Sequence, residues 1–502
     1  MSSLQTSPSP SRWFKSLRRT RSSDLCVKSC PALCAELLKR ARAALQAGRT
    51  ARESFRLAQL EGLVRMLGDH ENEFVDALSR DLHKPRFETL LSEVMLVKNE
   101  ALFAINNLKK WMEPECVERT LTTSLDECFV VSEPLGVVLI VAAWSSPIQL
   151  CLVPLVGAIA AGNCVIINPP EITSHAAELL QRLLPSYLDN ECYHVIRGGP
   201  GDLTDMVELK FDHVFFTGSG VDGGRVMKAA APTLTPVTLV LGGKNPCYVD
   251  RDCDVSTAAR RIAWARFQNA GQSAAAPGYV LCHGEVKDKL VQALRACLLH
   301  FYGPDPRQSG SFGRLVSSEH FAHVRDLLQS SGKVAVGGQV NEAERYIAPT
   351  VLTDVQEMDP IMQQEVLGPV LPILTVHSAE EAISFIRRQP KPLCLYVYSN
   401  NSKIISQMME CTSSGSFCSN DSILQTMMAT MPSGGVGASG MGSYHGRYSF
   451  DTFSHKKSCV LRGTRIECVT YLRYPPYEDR SLSLMMWAGS LSRKSQAWCQ
   501  IL

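Results

Sequence analysis

From residue 31 apolar positions recur at helical spacing, through Leu37, Leu38, Ala41 and Leu45, until the pattern breaks at Gly48-Arg49-Thr50. Apolar residues three and four apart share one stripe of a helix and turn it toward a core. A second helix carries Phe55, Leu57, Leu60, Leu63, Met66 and Leu67, and a third carries Leu90, Leu91, Val94 and Leu96. Between Trp111 and Glu133 the period shortens, and the Thr-rich alternation around Cys128-Phe129-Val130-Val131 predicts a β-hairpin.

From Pro134 the pattern changes again. Gly136-Val137-Val138-Leu139-Ile140-Val141 is an unbroken apolar run of the kind buried on both faces of a parallel sheet, and it ends at Ala142-Ala143-Trp144-Ser145-Ser146-Pro147. Helix is predicted over 148–161 and 176–188, with strands at Cys164-Val165-Ile166-Ile167, Tyr193-His194-Val195-Ile196 and His213-Val214-Phe215-Phe216. Strand alternating with helix gives an α/β class and a doubly wound parallel sheet. Ligands on such sheets lie beyond the carboxyl ends of the strands, where Trp144, Asn168 and Gly218 fall. The second half repeats the alternation, with helices near 286–299 and 320–328 and strands at 370–376 and 393–397, so two sheets are expected. A glycine-rich loop at 433–442 precedes Tyr444-His445-Gly446, and beyond about Tyr474 the chain turns polar and irregular.

Composition removes several classes of function. A chain of 502 residues, 45% hydrophobic and 20% charged, has room for two or more packed domains, and its net charge of +2 gives no reason to expect nucleic-acid binding. Its 18 cysteines form no CxxC pair, which argues for reduced cytosolic thiols, most of them packed as small hydrophobes. No uninterrupted apolar run reaches the ~18 residues of a membrane span. Residues 1–30 set Arg12, Lys15, Arg18, Arg19, Arg21 and Lys28 against the single acid Asp24. Such an arm builds no core, and it reads as a presequence, a membrane-surface patch or a solvated tail.

Two stretches are placed for chemistry. Gly218-Ser219-Gly220-Val221-Asp222-Gly223-Gly224 is a glycine-rich turn before a helix beginning near Arg225, where backbone N–H groups can approach a phosphate; such turns also merely close βα loops. Asp222 would repel a pyrophosphate unless its side chain points away. The second stretch is Phe267-Gln268-Asn269-Ala270-Gly271-Gln272-Ser273-Ala274-Ala275-Ala276-Pro277, small residues packed before a proline and the apolar run Gly278-Tyr279-Val280-Leu281. It has the make-up of a loop that presents a reactive group, and it carries none.

That loop, together with Leu241-Gly242-Gly243-Lys244-Asn245-Pro246, Phe216-Thr217-Gly218-Ser219, Tyr346-Ile347-Ala348-Pro349-Thr350, Leu367-Gly368-Pro369 and the block from Gly434 to Phe450, resembles the class 3 aldehyde dehydrogenases, closest to the B-type members, from about residue 33 onward. The resemblance implies an aldehyde dehydrogenase fold with a Rossmann-like cofactor domain over 31–112 and 136–241 and an α/β catalytic domain over 242–445. Bridging and oligomerisation elements would occupy 113–135 and 446–473, between the basic arm 1–30 and a tail 474–502. It implies NAD- or NADP-dependent oxidation of medium- and long-chain aldehydes to carboxylates by a homodimer.

It also implies that the chemistry has been lost. Ala274 stands where the family has a nucleophilic cysteine, Val240 where it has the general-base glutamate, and Ser145 where an asparagine stabilises the oxyanion. Of the cofactor positions, Trp144, Glu171, Gly218, Gly223 and Glu365 agree with the family. Asn168 replaces a lysine, Gly224 a usual base and Leu367 an aromatic, so NAD or NADP is expected to bind weakly.

Ser273 and Cys151 are the candidate substitute nucleophiles. Ser273 has no evident base, and Cys151 is either a thiol activated near a helix start or a packed hydrophobe. His445 either lines the pocket or is structural. The expectation is an aldehyde dehydrogenase fold without aldehyde oxidation. The alternatives are a weakly active enzyme, or a non-catalytic partner that forms a heterodimer with an active paralogue. Finally, Cys499-Gln500-Ile501-Leu502 fits a prenylation box for a geranylgeranyl chain, unless by coincidence, which with Arg493-Lys494 predicts a peripheral cytoplasmic membrane location.

Overall fold

The computed structural model describes residues 30–119, 123–124, 126–198, 202–464 and 470–489. The basic arm before residue 30 and the lipidation candidate Cys499 lie outside the described residues.

Two large sheets organise the chain. The first has spatial order β17 (Gly440–Met441), β7 (Val237–Leu241), β6 (His213–Gly218), β3 (Val137–Val141), β4 (Cys164–Asn168) and β5 (Tyr193–Val195). All its pairings are parallel except β17 with β7. Every residue of β3 and β4 is buried, because helices cover both faces. One covering helix, α6 (Pro147–Ala161), is apolar on nearly all sides and almost wholly buried. Gly157 inside it lets α15 (Gly446–Thr452) approach, since a Cβ there would lie 2.3 Å from the Ser449 side chain.

The second sheet runs β10 (Lys333–Val336), β13 (Thr350–Thr353), β14 (Val370–Val376), β9 (Tyr279–His283), β8 (Pro246–Val249), β15 (Cys394–Tyr398) and β16 (Ser416–Ser419). It is parallel apart from β10 with β13. A separate antiparallel sheet joins β1 (Glu115–Cys116), β2 (Glu127–Pro134) and β18 (Ser454–Leu461), with β2 and β18 in register over eight residue pairs from Ser454↔Pro134 to Leu461↔Glu127. The strand β17 comes from the region assigned to the second domain yet completes the edge of the first sheet.

One unassigned stretch proves helical and three local expectations are corrected. Residues 71–82, left without an element by the sequence reading, form α3 (Glu71–Leu82), which buries Phe74, Ala77, Leu78 and Leu82 on one stripe. Trp111, expected to open the hairpin, closes α5 (Met95–Met112). The helix expected near Arg225 begins earlier, as α9 (Gly220–Ala230), so Gly223 and Gly224 lie within its first turns. Past Tyr474 the chain is not irregular throughout: Asp479–Gly489 is helical.

Candidate active site

The loop that the sequence singles out lies between α10 (Val255–Phe267) and β9, and side chains fix its shape. Asn269, Ala270 and Gly271 take left-handed φ values of 51°, 52° and 74°. For non-glycine residues this costs about 1 kcal/mol or more each, so surrounding bonds have to impose it. Gly271 is also required by space, because a Cβ would sit 2.3 Å from the Gly368 carbonyl.

The imposing bonds come from four polar side chains. Asn269 donates its side-chain amide to the carbonyls of Ser145 (2.8 Å) and Gln272 (2.9 Å), while its backbone N–H donates to Glu88 (2.8 Å). Gln272 donates to the carbonyls of Asn269 and Arg314 and accepts from the Val316 N–H, each at 2.9 Å. Asn245 donates to the carbonyls of Ala274 (2.7 Å) and Ala276 (2.9 Å) and accepts from Cys394 N–H (2.9 Å). Underneath, the buried guanidinium of Arg266 donates to the carbonyls of Pro277, Val366, Gly368 and Val370. All of these fix main chain, and none involves the side chain at 274.

Ser145, Val240 and Ala274 arrive from three different elements and line one cavity of about 120 Å³. Ser145 follows β3 and is buried, Val240 is half-buried in β7, and Ala274 is half-buried on the loop. Ser273, Asn269, Glu88 and Tyr444 line the same space. The β3–α6 turn is anchored by a buried ion pair, Lys84 Nζ to Glu93 Oε1 at 2.5 Å. The second Glu93 oxygen accepts from the N–H groups of Ile148 (2.9 Å) and Gln149 (3.3 Å), where a carboxylate also suits the positive end of α6.

Burial pushes the Glu88 carboxyl up to about 7, with Lys84 and the Asn269 N–H only partly offsetting it. The folded protein then holds a proton on Glu88 that the unfolded chain releases above its ordinary value of 4.5. Stability therefore falls as pH rises from about 4.5 through 7, by up to about 2–3 kcal/mol. Glu88→Gln keeps an oxygen to accept from Asn269 and removes this slope. Its thermal midpoint is expected to match the unmodified protein near pH 5 and exceed it at pH 8, which differential scanning calorimetry reads directly.

A second, smaller chamber of about 10 Å³, the size of a single water, also touches the loop. Lys244, Arg266, Glu365 and Gly243 line it, and it shares Ser273 and Ala274 with the first cavity. Glu365 leans on the Leu241-Gly242-Gly243 turn, where a Cβ on Gly242 would meet its Oε2 at 1.9 Å. Burial lifts its carboxyl to about 7, and its Oε1 is buried without a hydrogen-bond partner.

Two of the other candidate residues take the structural one of their two readings. Cys151 is fully buried inside α6 and does not line the cavity; burial and the neighbouring Glu93 push its thiol up, the reverse of activation. His445 is likewise absent from the cavity wall, being buried with Nδ1 3.0 Å from Glu100 and stacked on Tyr444. Ser273 does line both cavities, and no side chain among the described residues hydrogen-bonds its hydroxyl. The sequence reading missed Asn245, Asn269, Gln272 and Arg266. Of the three amides in Gln268-Asn269-Ala270-Gly271-Gln272, Asn269 beside a glycine was the available signal, since the short Asn side chain tolerates and braces left-handed backbone.

The fold and this arrangement agree with comparisons to known proteins. The description "Aldehyde dehydrogenase family" matches residues 28–459. The chain belongs to the aldehyde dehydrogenase family. It is 50% identical over 453 residues to human aldehyde dehydrogenase family 3 member B1, covering 90% of this chain and 97% of that protein. Mouse aldehyde dehydrogenase family 3 member B2 is 50% identical over 452 residues, covering 90% and 94%. Among solved structures, the substrate-bound state of Staphylococcus aureus AldH superposes with a TM-score of 0.88 at 39% identity, covering 90% of this chain and 98% of that one. The family's reaction is aldehyde oxidation with NAD or NADP, and its members are commonly oligomers such as dimers. Among the described residues no helix is long and apolar enough to cross a membrane, and no group of side chains could hold a metal.

The residues present fit such a dinucleotide only in part. Asn168, buried at the end of β4, spends its amide on the carbonyls of Ile196 (3.0 Å) and Gly198 (3.4 Å). At the start of α9, Asp222 already occupies the positive end, its carboxylate 2.7 Å from the Ser219 hydroxyl and 3.0 Å from Arg225. Gly223 packs against Leu241, and Glu171 is exposed. Trp144 packs edge-on to His320 at 5.1 Å, and His320 donates to the Leu367 carbonyl at 2.6 Å. Glu365, with its unpartnered oxygen, is the group best suited to a ribose hydroxyl.

Proposed function

We propose that this chain is an aldehyde dehydrogenase family protein that does not oxidise aldehydes. The observation that carries the reading is the convergence of Ser145, Val240 and Ala274 on one cavity wall, with no thiol and no carboxylate among the three. Acyl transfer needs a nucleophile, a base to activate water and donors for the oxyanion, and an alanine methyl and a valine supply none of them. Dinucleotide binding is weak in this reading, because Asn168 is committed to backbone carbonyls and Asp222 sets a negative charge where phosphate would lie. Losing one charged hydrogen bond costs about 1.5–3 kcal/mol, roughly ten- to a hundredfold in affinity.

The test is turnover of a medium-chain aldehyde by the purified protein with NAD and with NADP, followed at 340 nm. No reduction above a heat-treated control is expected; steady nucleotide reduction would overturn the reading and direct attention to Ser273. The same reading puts the protein on a cytoplasmic membrane face through a geranylgeranyl chain on Cys499, and intact-mass analysis of protein made in animal cells checks for that adduct. It also makes a dimer, with itself or with an active paralogue, the working form.

A further inference from the structure

The larger cavity has a polar end built around Asn269. The Asn269 N–H donates to one Glu88 oxygen and its side-chain amide to the Ser145 carbonyl, both at 2.8 Å, so one loop residue gathers Glu88 and Ser145. The bonds to the Ser145 and Gln272 carbonyls also fix which way that amide points, and its Oδ1 is left buried with no donor to accept from. Among the described residues no hydrogen bond reaches the other Glu88 oxygen or the hydroxyls of Ser145 and Ser273, and all three residues line the cavity. Leu96, Leu150, Ile423 and Met427 add aliphatic wall. Of these Leu96, Leu150 and Met427 are only half-buried, and the cavity is open to solvent.

Lys84 and Glu88 are the charged side chains on this wall. Lys84 is almost wholly buried and engaged by Glu93 at 2.5 Å, so it offers no free cation to a carboxylate. An ionised Glu88 would repel a carboxylate as well. An aldehyde or ketone oxygen only accepts, and leaves the free Glu88 oxygen without a donor. A primary carboxamide both donates and accepts. Its NH2 can donate to Glu88 while its carbonyl accepts from the Ser145 or Ser273 hydroxyl, and a protonated Glu88 can donate to that same carbonyl. We propose that this cavity binds neutral medium-chain aliphatic primary carboxamides, reversibly and without chemical change. The proposal rests on the reading that the protein does not oxidise aldehydes, which leaves the cavity to binding alone.

Size agrees with this class. A cavity of about 120 Å³ is close to the ~150 Å³ that holds a benzene ring in an engineered protein core, so the carboxamide and several methylenes fit within it. A longer tail can leave past the half-buried Leu96 and Met427. At Ala274 and Val240 the bound carbonyl meets a methyl and an isopropyl group, so these positions neither attack nor hydrolyse the amide.

Hexanamide, 2-heptanone and hexanoate share one chain and shape, and differ only in the group beside the carbonyl: an NH2, a methyl or an ionised oxygen. Titration calorimetry of the purified full-length chain at pH 7, without nucleotide, is expected to give hexanamide a Kd on the order of 0.1 mM. The other two are expected to bind at least about tenfold more weakly, for want of a donor or because of their charge. Glu88→Leu is expected to bring hexanamide down to the level of 2-heptanone. Ser145→Ala removes a hydroxyl that no other described residue uses, and is expected to weaken hexanamide about fivefold; it locates the ligand even if the Glu88 variant does not fold. Hexanamide binding no tighter than 2-heptanone or hexanoate, or undiminished in Ser145→Ala, would overturn the proposal. Because neither aldehyde nor nucleotide is present, the result is separate from the oxidation assay: hexanamide can fail to bind a chain that is inert, and nucleotide reduction can occur in a chain that binds hexanamide.

Discussion

The triple variant Ser145→Asn/Val240→Glu/Ala274→Cys is expected to oxidise medium-chain aldehydes at least about 10³-fold faster than the unmodified chain, provided NAD or NADP is supplied at millimolar concentration. Removing one nucleophile in a comparable catalytic unit costs on the order of 10⁶ in turnover, and the members of such a unit lose their effects together rather than additively. Ala274→Cys alone is therefore expected to do little beyond taking up aldehyde as a thiohemiacetal, because Val240 leaves no base to activate water. The main chain that would place the new thiol is already fixed by Asn245, Asn269 and Gln272, so the thiol arrives in a prepared loop. Val240→Glu is the demanding member, since it puts a carboxylate in a half-buried strand position. Steady-state reduction of nucleotide measures the outcome. A silent triple variant that keeps its fold and binds NAD would show that more than these three positions has been lost.

Arg266→Leu is expected to be the most damaging single substitution in the loop's support. The guanidinium is fully buried and donates to four main-chain carbonyls, of Pro277, Val366, Gly368 and Val370. Burial draws its pKa down to about 10, so it remains charged at neutral pH. Leucine fills part of the volume and leaves those carbonyls without donors. At roughly 1–3 kcal/mol for each buried group left unsatisfied, partly relieved by relaxation, the loss is about 4 kcal/mol. For a chain of 502 residues, whose unfolding entropy is about 1 kcal/mol/K, the thermal midpoint should fall by about 4 °C. Arg266→Lys should fall between, because a lysine keeps the charge but reaches at most two of the carbonyls. Arg80→Leu, which removes an exposed pair with Asp76, is the control and should shift the midpoint by no more than about 1 °C.

Both sheets were legible in the sequence because their strands are continuous apolar runs, such as Val137-Val138-Leu139-Ile140-Val141, and few other elements produce that pattern. Helix α3 was not picked out, since its buried Phe74, Ala77, Leu78 and Leu82 alternate with five acids and bases that dilute the stripe. Short strands such as β17 have two residues and no periodicity at all; only tertiary pairing with β7 defines them. At the site, residue types pointed to the loop but not to its bracing, because Asn245, Gln272 and Arg266 act through carbonyls supplied from distant segments. Cys151 keeps two readings in the sequence for a related reason. Position near a helix start suggests a lowered thiol pKa, whereas the value is set by complete burial beside Glu93, which no local pattern reveals.

The bonds that shape the 268–277 loop pass through side chains at 245, 266, 269 and 272, and the side chain at 274 takes part in none of them. Folding and chemistry are thereby assigned to different residues. A lineage carrying this scaffold can lose its thiol, or recover it, without crossing a generation of misfolded protein. Selection on the reaction and selection on the shape then act on separate codons, and the shape can outlast the reaction for as long as some other use of the protein is maintained.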